Sequence, residues 1–250
     1  MSKVLSWRFH MLRNRFLIHK SGCAVCGKPL TYHSSSIKLT CYYCEEEVET
    51  DVHCTDGHFV CDDCHRVDAN DYIVHASLNN KGIDPITFVN DVMEQKMFSI
   101  HGPEHHFLVP AALLTAYCNA TGIIANLRES LRIIRTRMVK IPGGVCGTHG
   151  GCGAVLGLGA FVSYINKTTS LSKKSWADVH AITAAGLMQV SKYGGPRCCK
   201  RNTFIGILEG INYLNEVMDV KLAKPASINC GFHLRNKDCI EETCLFYKSQ

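Results

Sequence analysis

Cys23-Ala24-Val25-Cys26-Gly27, Cys41-Tyr42-Tyr43-Cys44, Cys54-Thr55-Asp56-Gly57-His58 and Cys61-Asp62-Asp63-Cys64-His65 follow one another between positions 23 and 65 of the chain. A C-x-x-C turn offers two sulfurs to one tetrahedral ion, and two such turns close a structural zinc site. Gly27 supplies the backbone freedom of a knuckle after the first pair. Sequential pairing gives a zinc-ribbon-like arrangement, with one ion on Cys23, Cys26, Cys41 and Cys44. The other ion then takes Cys54, Cys61 and Cys64, with His58 or His65 as fourth ligand. A crossed pairing would use the same residues in other partnerships, and spacing alone leaves it open, although the sequential form is preferred. The stretch is poor in Leu, Ile and Phe, so a core cannot hold it. Structural zinc, worth roughly 10–16 kcal/mol per ion, would supply the missing stability. Closed structural sites are expected; an open catalytic site would need both His58 and His65 turned away.

Working outward, the whole chain has 250 residues, 46% of them apolar, with 15 Cys and 13 His. An odd cysteine total with repeated C-x-x-C pairs and interleaved histidines favours thiolate ligands in a reducing, cytoplasmic setting over a disulfide framework. Net charge is +5, yet it is unevenly spread. Glu45 to Asp71 carries ten acids against the single Arg66, and no acid precedes Glu45. Such an acidic half would repel phosphates, so a simple nucleic-acid finger is disfavoured and a protein partner is expected. Lys3, Arg8, Arg13, Arg15 and Lys20 give the start a superficial likeness to a transit peptide, but the basic residues break up every apolar run. We read 1–22 as a basic amphipathic lead-in, with Val4, Leu5, Leu12, Phe16 and Leu17 loosely at helical spacing. No stretch is long and apolar enough for a membrane span.

The division expected is therefore a lead-in over 1–22, a Cys/His zinc module over 23–68, an all-α helical domain over 69–224 and a cysteine-containing tail over 225–250. The module contains short strand-like stretches, Ile37-Lys38-Leu39-Thr40 and Phe59-Val60. Asp84 before Pro85 predicts an N-capped helix running to about Met97. A second apolar helix covers Glu104 to Asn119 and is closed by Gly122, with Pro110 marking a start or a kink. Ile124 to Val139 is amphipathic, its Arg128, Arg132 and Arg135 forming a solvated face beside the core stripe. The Gly-rich run from Gly143 to Ala154 leads into a buried helix ending near Ile165. Ser175 and Asp178 resemble a capping box for a helix that stops before Gly194-Gly195-Pro196, and a last helix covers about Asn202 to Met218.

The remaining cysteines form a weaker signal. Cys118 lies on an apolar helix and reads as core. Cys146, Cys152, Cys198 and Cys199 sit in Gly/Pro loops at helix starts. Arg197, Lys200 and Arg201 flank Cys198 and Cys199, where positive charge and the helix dipole favour thiolate. With His149 as an acid/base, these are the candidate catalytic residues. Cys146, Cys152, Cys198 and Cys230, with other tail cysteines, are the candidate ligands of an iron–sulfur cluster, against the alternatives of a dithiol redox centre or incidental thiols. His101, His105 and His106 around Gly102-Pro103-Glu104 form a further polar cluster or a surface loop.

At these motifs the sequence resembles a cysteine-rich family of unknown function from methanogenic archaea and anaerobic bacteria. The likeness rests on Cys23 to Gly27 with Leu30 and Tyr32, on Cys41 to Cys44, on Cys54 to His65, and on Gly194-Gly195-Pro196-Arg197-Cys198-Cys199-Lys200-Arg201. It implies an anaerobic prokaryotic setting. The helical part is distantly similar to redox-active proteins that pair a Cys-Gly-Ala element, here Cys152-Gly153-Ala154, with a later Gly-x-x-x-Cys element, here Gly194 to Cys198. The expected function is metal binding, zinc with an iron–sulfur cluster as a further cofactor, in sulfur, electron or one-carbon chemistry. The alternative is a noncatalytic zinc-dependent interaction module. No phosphate-binding, dinucleotide or nucleophile-elbow motif narrows the substrate.

Overall fold

The computed structural model describes residues 22–247 apart from 43, 44, 96, 124 and 125. The lead-in over 1–21 and Cys44 thus lie outside the described residues. Two antiparallel strands come first, β1 (Leu30–Thr40) and β2 (Glu47–Cys54), paired from Leu30↔Cys54 to Thr40↔Glu47 with an irregularity between Tyr32 and Ile37. Ile37 to Thr40 belongs to β1, as expected, whereas Phe59-Val60 is not a strand. It is a loop whose Phe59 is buried among Cys41, Cys61 and Cys64.

Eight helices follow among the described residues: α1 (Asp62–Asn79), α2 (Pro85–Met93), α3 (Glu104–Thr121), α4 (Leu127–Met138), α5 (Val145–Thr148), α6 (Gly153–Ile165), α7 (Lys174–Tyr193) and α8 (Cys199–Val217). The helical pattern therefore begins at Asp62, earlier than the expected position 69, because Cys61 ends the loop as N-cap of α1. Further along α1, Ala69 and Ile73 enter the main helical core.

Asp84 caps α2 as its sequence requires: its carboxylate accepts from the Ile86 and Thr87 N–H groups at 2.9 and 3.2 Å. α3 is the axis of the fold, buried at every position from Glu104 to Cys118 and ended by left-handed Gly122. Pro110 neither starts nor ends it. Proline lacks the N–H that would bond the His106 carbonyl, and that carbonyl lies against Gly157 of α6. A Cβ added to Gly157 would lie 2.5 Å from the His106 oxygen and 2.7 Å from Pro110 Cδ. The small residues of α6 thus serve helix-to-helix approach. α4 turns Leu131, Ile134 and Met138 inward, while Arg132 pairs with Glu129 and Arg135 with Asp71 on the outside.

Two helix starts differ from expectation. Ser175 makes no capping bond; α7 begins at Lys174 behind an uncapped Lys173. α8 begins at Cys199, with the Cys198 sulfur accepting from the Arg201 N–H as its cap. A sulfur can serve where Ser or Asp is usual. The tail is irregular apart from single turns at His233–Arg235 and Glu241–Thr243, and it returns to the core through buried Phe232 and Phe246. No described helix is long and apolar enough to cross a membrane.

Candidate metal centres

Two knuckles build the first centre. After Cys23 the chain turns so that the Gly27 N–H reaches the Cys23 carbonyl at 2.8 Å, with Gly27 at φ 75°. After Cys54 the Gly57 N–H reaches the Cys54 carbonyl at 2.7 Å, with Gly57 at φ 82°. Both glycines occupy the left-handed region that a side chain would strain. Within each turn a backbone N–H points at sulfur: Val25 donates to Cys23 Sγ and Asp56 to Cys54 Sγ, each at 3.3 Å. Lys28 ties the two turns together through Asp56 at 2.7 Å. Cys23, Cys26, Cys54 and His58 thereby bring one donor atom each to within 4.8 Å of all the others. Burial pushes the Cys54 thiol up, but the Asp56 N–H and the side chains of His58, Cys26 and Cys23 bring it down to about 6.

The second centre forms where the hairpin loop meets the start of α1. Cys41, Cys61 and Cys64 place their sulfurs within the same 4.8 Å. The Cys61 N–H donates to Cys41 Sγ at 3.3 Å, and the Tyr42 N–H bonds the Phe59 carbonyl at 2.7 Å. Leu39, Val48 and Val60 pack around the thiols. The edge of Tyr42 meets the His58 ring at 5.3 Å between centroids, so the two centres share a wall.

The grouping is crossed, and this corrects the preferred sequential reading. The first C-x-x-C joins Cys54 and His58, and Cys41 joins Cys61 and Cys64. The antiparallel hairpin explains the exchange: it carries Cys54 back beside Leu30, next to Cys23 and Cys26, and leaves Cys41 at the far end. His58, and not His65, lies in a ligand group. His65 turns instead to the helical region, its Nδ1 3.6 Å from Glu104 and its Nε2 3.4 Å from Ser99 Oγ.

Do these residues suit a metal? Zinc bonds sulfur at about 2.3 Å, which sets tetrahedral sulfurs roughly 3.8 Å apart. Cys26 and Cys54 sulfurs stand 3.4 Å apart, and the buried Nδ1 of His58 has no hydrogen-bond partner. Donors this close, buried and supported by N–H groups fit a d¹⁰ ion well. These two groups could hold metal ions.

The helical region gathers a third set of groups where α1, α3, α6 and α8 meet. Glu104 is fully buried, accepts from the Ser99 N–H at 3.1 Å and lies beside His65 and His105. Burial by itself would raise its carboxyl, but the contacts with His65 and His105 and backbone hydrogen bonding together outweigh that and hold it at about 2. Burial, with Lys200 nearby, pushes His105 down to about 3, so it is neutral at pH 7. Cys152 Sγ accepts from Asn202 Nδ2 at 3.3 Å and neighbours Cys199.

The expected catalytic residues separate into three places. Cys152 and Cys199 face this buried chamber. Cys198, though adjacent to Cys199, faces the tail. Cys146 and His149 are exposed on and just after α5, and the structure does not bring them to either. Of the expected cluster ligands, Cys198 and Cys230 share one pocket, without Cys146 or Cys152. The expectation of low-pKa thiols at the start of α8 is also corrected. Burial outweighs the neighbouring cations, raising Cys198 and pushing Cys199 up to about 12. Glu104 escaped the sequence reading because Gly102-Pro103 looks like the tip of a surface loop. The histidines on either side of it were the available signal.

A two-stranded cysteine/histidine module with two ligand groups, followed by an all-helical region, is the class these coordinates define. The helical region is matched, over residues 73–247, by the model of a family described as a family of unknown function (DUF5714), and the chain belongs to that family. No curated protein and no solved structure matches the chain.

Proposed function

We propose that the chain is a two-zinc metalloprotein of a reducing, cytoplasmic, anaerobic prokaryotic setting, whose N-terminal module clamps a helical domain devoted to sulfur or electron chemistry. Cys23, Cys26, Cys54 and His58 would hold one ion. Cys41, Cys61 and Cys64 would hold the other, with Cys44 as its fourth ligand. The observation that carries the reading is the convergence of these buried donors into two compact sets. Zinc would supply only structure here, since four ligands leave no open position. The chain's own residues do the rest. The hairpin exchanges ligands between the centres, and His65, one residue beyond Cys64, reaches Glu104 on α3. Positioning of the Cys152–Cys199 chamber thus depends on the module being folded.

The test is metal analysis of the full chain purified without oxygen. About two zinc per chain are expected from the two ligand sets. Cys54→Ser should lose one zinc and Cys61→Ser the other, each with a lower Tm. Loss of both ions on either substitution would still fit the shared wall, whereas full zinc retention in both variants would refute the assignment.

A second reading, zinc-dependent docking to a protein, has its own support. Glu45, Glu46, Glu47, Glu49 and Asp51 are exposed along the hairpin, a surface suited to a basic partner. Charge reversal at Glu47 and Glu49 would abolish such docking and leave zinc content unchanged.

A further inference from the structure

Four further cysteines meet in a second place, one from the start of α8 and three from the tail. Cys198 is the N-cap of α8, and Cys230, Cys239 and Cys244 come from the tail; together they line one largely enclosed pocket. All four are free thiols. Phe232 and Phe246, both almost fully buried, close its apolar side.

The backbone treats these sulfurs as it treats those of the N-terminal knuckles. Arg201 N–H donates to Cys198 Sγ and Glu241 N–H to Cys239 Sγ, each at 3.4 Å. Phe232 N–H donates to Cys230 Sγ. Asn236 adds a longer contact to Cys198 Sγ, at 3.8 Å. In Cys230 and Cys239 the donor is two residues on, the same offset as Val25 to Cys23 and Asp56 to Cys54. Such N–H···S bonds stabilise sulfur carrying negative charge, which a coordinated thiolate does.

The spacing of the sulfurs sets this site apart from the other two. No three of these four lie mutually within 4.8 Å, the separation that both N-terminal groups satisfy. One zinc would need them roughly 3.8 Å apart. A cluster of several irons puts metal and sulfide between its thiolates, so its ligands stand further apart around a larger core. Charge agrees as well. Lys200 and Arg201 are 1% and 2% exposed, with the Lys200 ammonium 4.8 Å from the centre of the Phe232 ring. Buried cations beside four thiolates offset the net negative charge of a thiolate-ligated cluster.

We propose that Cys198, Cys230, Cys239 and Cys244 bind a [4Fe–4S] cluster, one thiolate to each iron. With every iron ligated by the chain, no coordination position is open to a substrate. The site suits electron storage or a structural role, and it does not depend on the zinc assignment.

The experiment is reconstitution of the full chain with equal amounts of ferrous and ferric iron and with sulfide in the absence of oxygen, followed by iron, sulfide and zinc determination and Mössbauer spectroscopy. About four iron and four sulfide per chain are expected, with a broad visible absorption that bleaches on reduction. Cys239→Ser/Cys244→Ser should lose iron and sulfide and keep zinc, and Cys54→Ser/Cys61→Ser should do the reverse. Circular dichroism checks that each variant keeps its helices. Where the tail variant fails to fold, all-cysteine cluster signals from the unsubstituted chain carry the decision. Binding of a further zinc without sulfide would overturn the proposal. So would four thiols that remain fully alkylatable after reconstitution, or a cluster that survives the tail substitutions.

Discussion

Replacing Glu104 by Gln keeps the shape of the side chain and its capacity to accept from Ser99, and removes only the charge. That charge is buried beside His65 at 3.6 Å, and its contacts with His65 and His105 and with the backbone together hold the carboxyl at about 2 in place of 4.5. A carboxyl depressed to this extent favours the folded state at neutral pH by roughly 3 kcal/mol. Breaking one partner of a buried charged set independently suggests roughly 3–5 kcal/mol. Glu104→Gln should therefore unfold in urea with a deficit of about 3 kcal/mol at pH 7, or a Tm lower by roughly 6–12 °C in a chain of this size. The sign with pH follows from a depressed acid. The contribution is complete above about 4.5 and is lost as pH falls towards 2. The gap between the two proteins, measured at matched pH, should close across that window. Hydrogen exchange should also rise at 61–65, where His65 loses its anchor. A variant within about 0.5 kcal/mol of the original at pH 7, or a gap that does not narrow in acid, would refute this account of the chamber.

Other outcomes follow from single contacts. Gly157→Ala drives a Cβ against the His106 carbonyl and Pro110; overpacking of roughly 1–3 kcal/mol should exceed the helix-propensity gain and lower Tm. Asp84→Ala removes two capping bonds of α2 and should cost about 1 kcal/mol in chemical denaturation. In brief iodoacetamide labelling at pH 8, exposed Cys146 should be modified first. Buried Cys118, raised to about 11, and Cys199 should be modified only on unfolding, as peptide mass mapping would show.

Much of the architecture could be read in the chain because its signals are local. Asp84-Pro85 fixes a helix start within one turn, Gly122 fixes a stop, and the alternation of Leu131, Ile134 and Met138 fixes a buried face. The residues of the two candidate metal groups were equally visible, since a C-x-x-C turn is complete in four positions. Which pairs meet was not visible. That depends on the length of the β1–β2 hairpin, and a hairpin returns its second strand to the first whatever the side chains prefer. The start of α1 was missed because Cys61 is an unusual cap and the acids after it resemble a loop. The separation of Cys198 from Cys199 was hidden for a similar reason. Adjacent residues at a helix N-terminus project in different directions, and only the packing of α8 against α6 and the tail decides where each goes. The elevated thiol pKa values show burial overriding a charge pattern that sequence alone presents at full strength.

α1 carries Cys64, a member of the second candidate ligand group, in its first turn, and further along it sets Ile73 deep among the apolar side chains of its neighbours. With an ion bound as proposed, one rod is gripped by unlike forces, ion coordination at its start and exclusion of water further along. Extracting the ions should slacken the rod from its leading end, and the softening would travel into the bundle. Calorimetry of the intact chain should accordingly show a single transition.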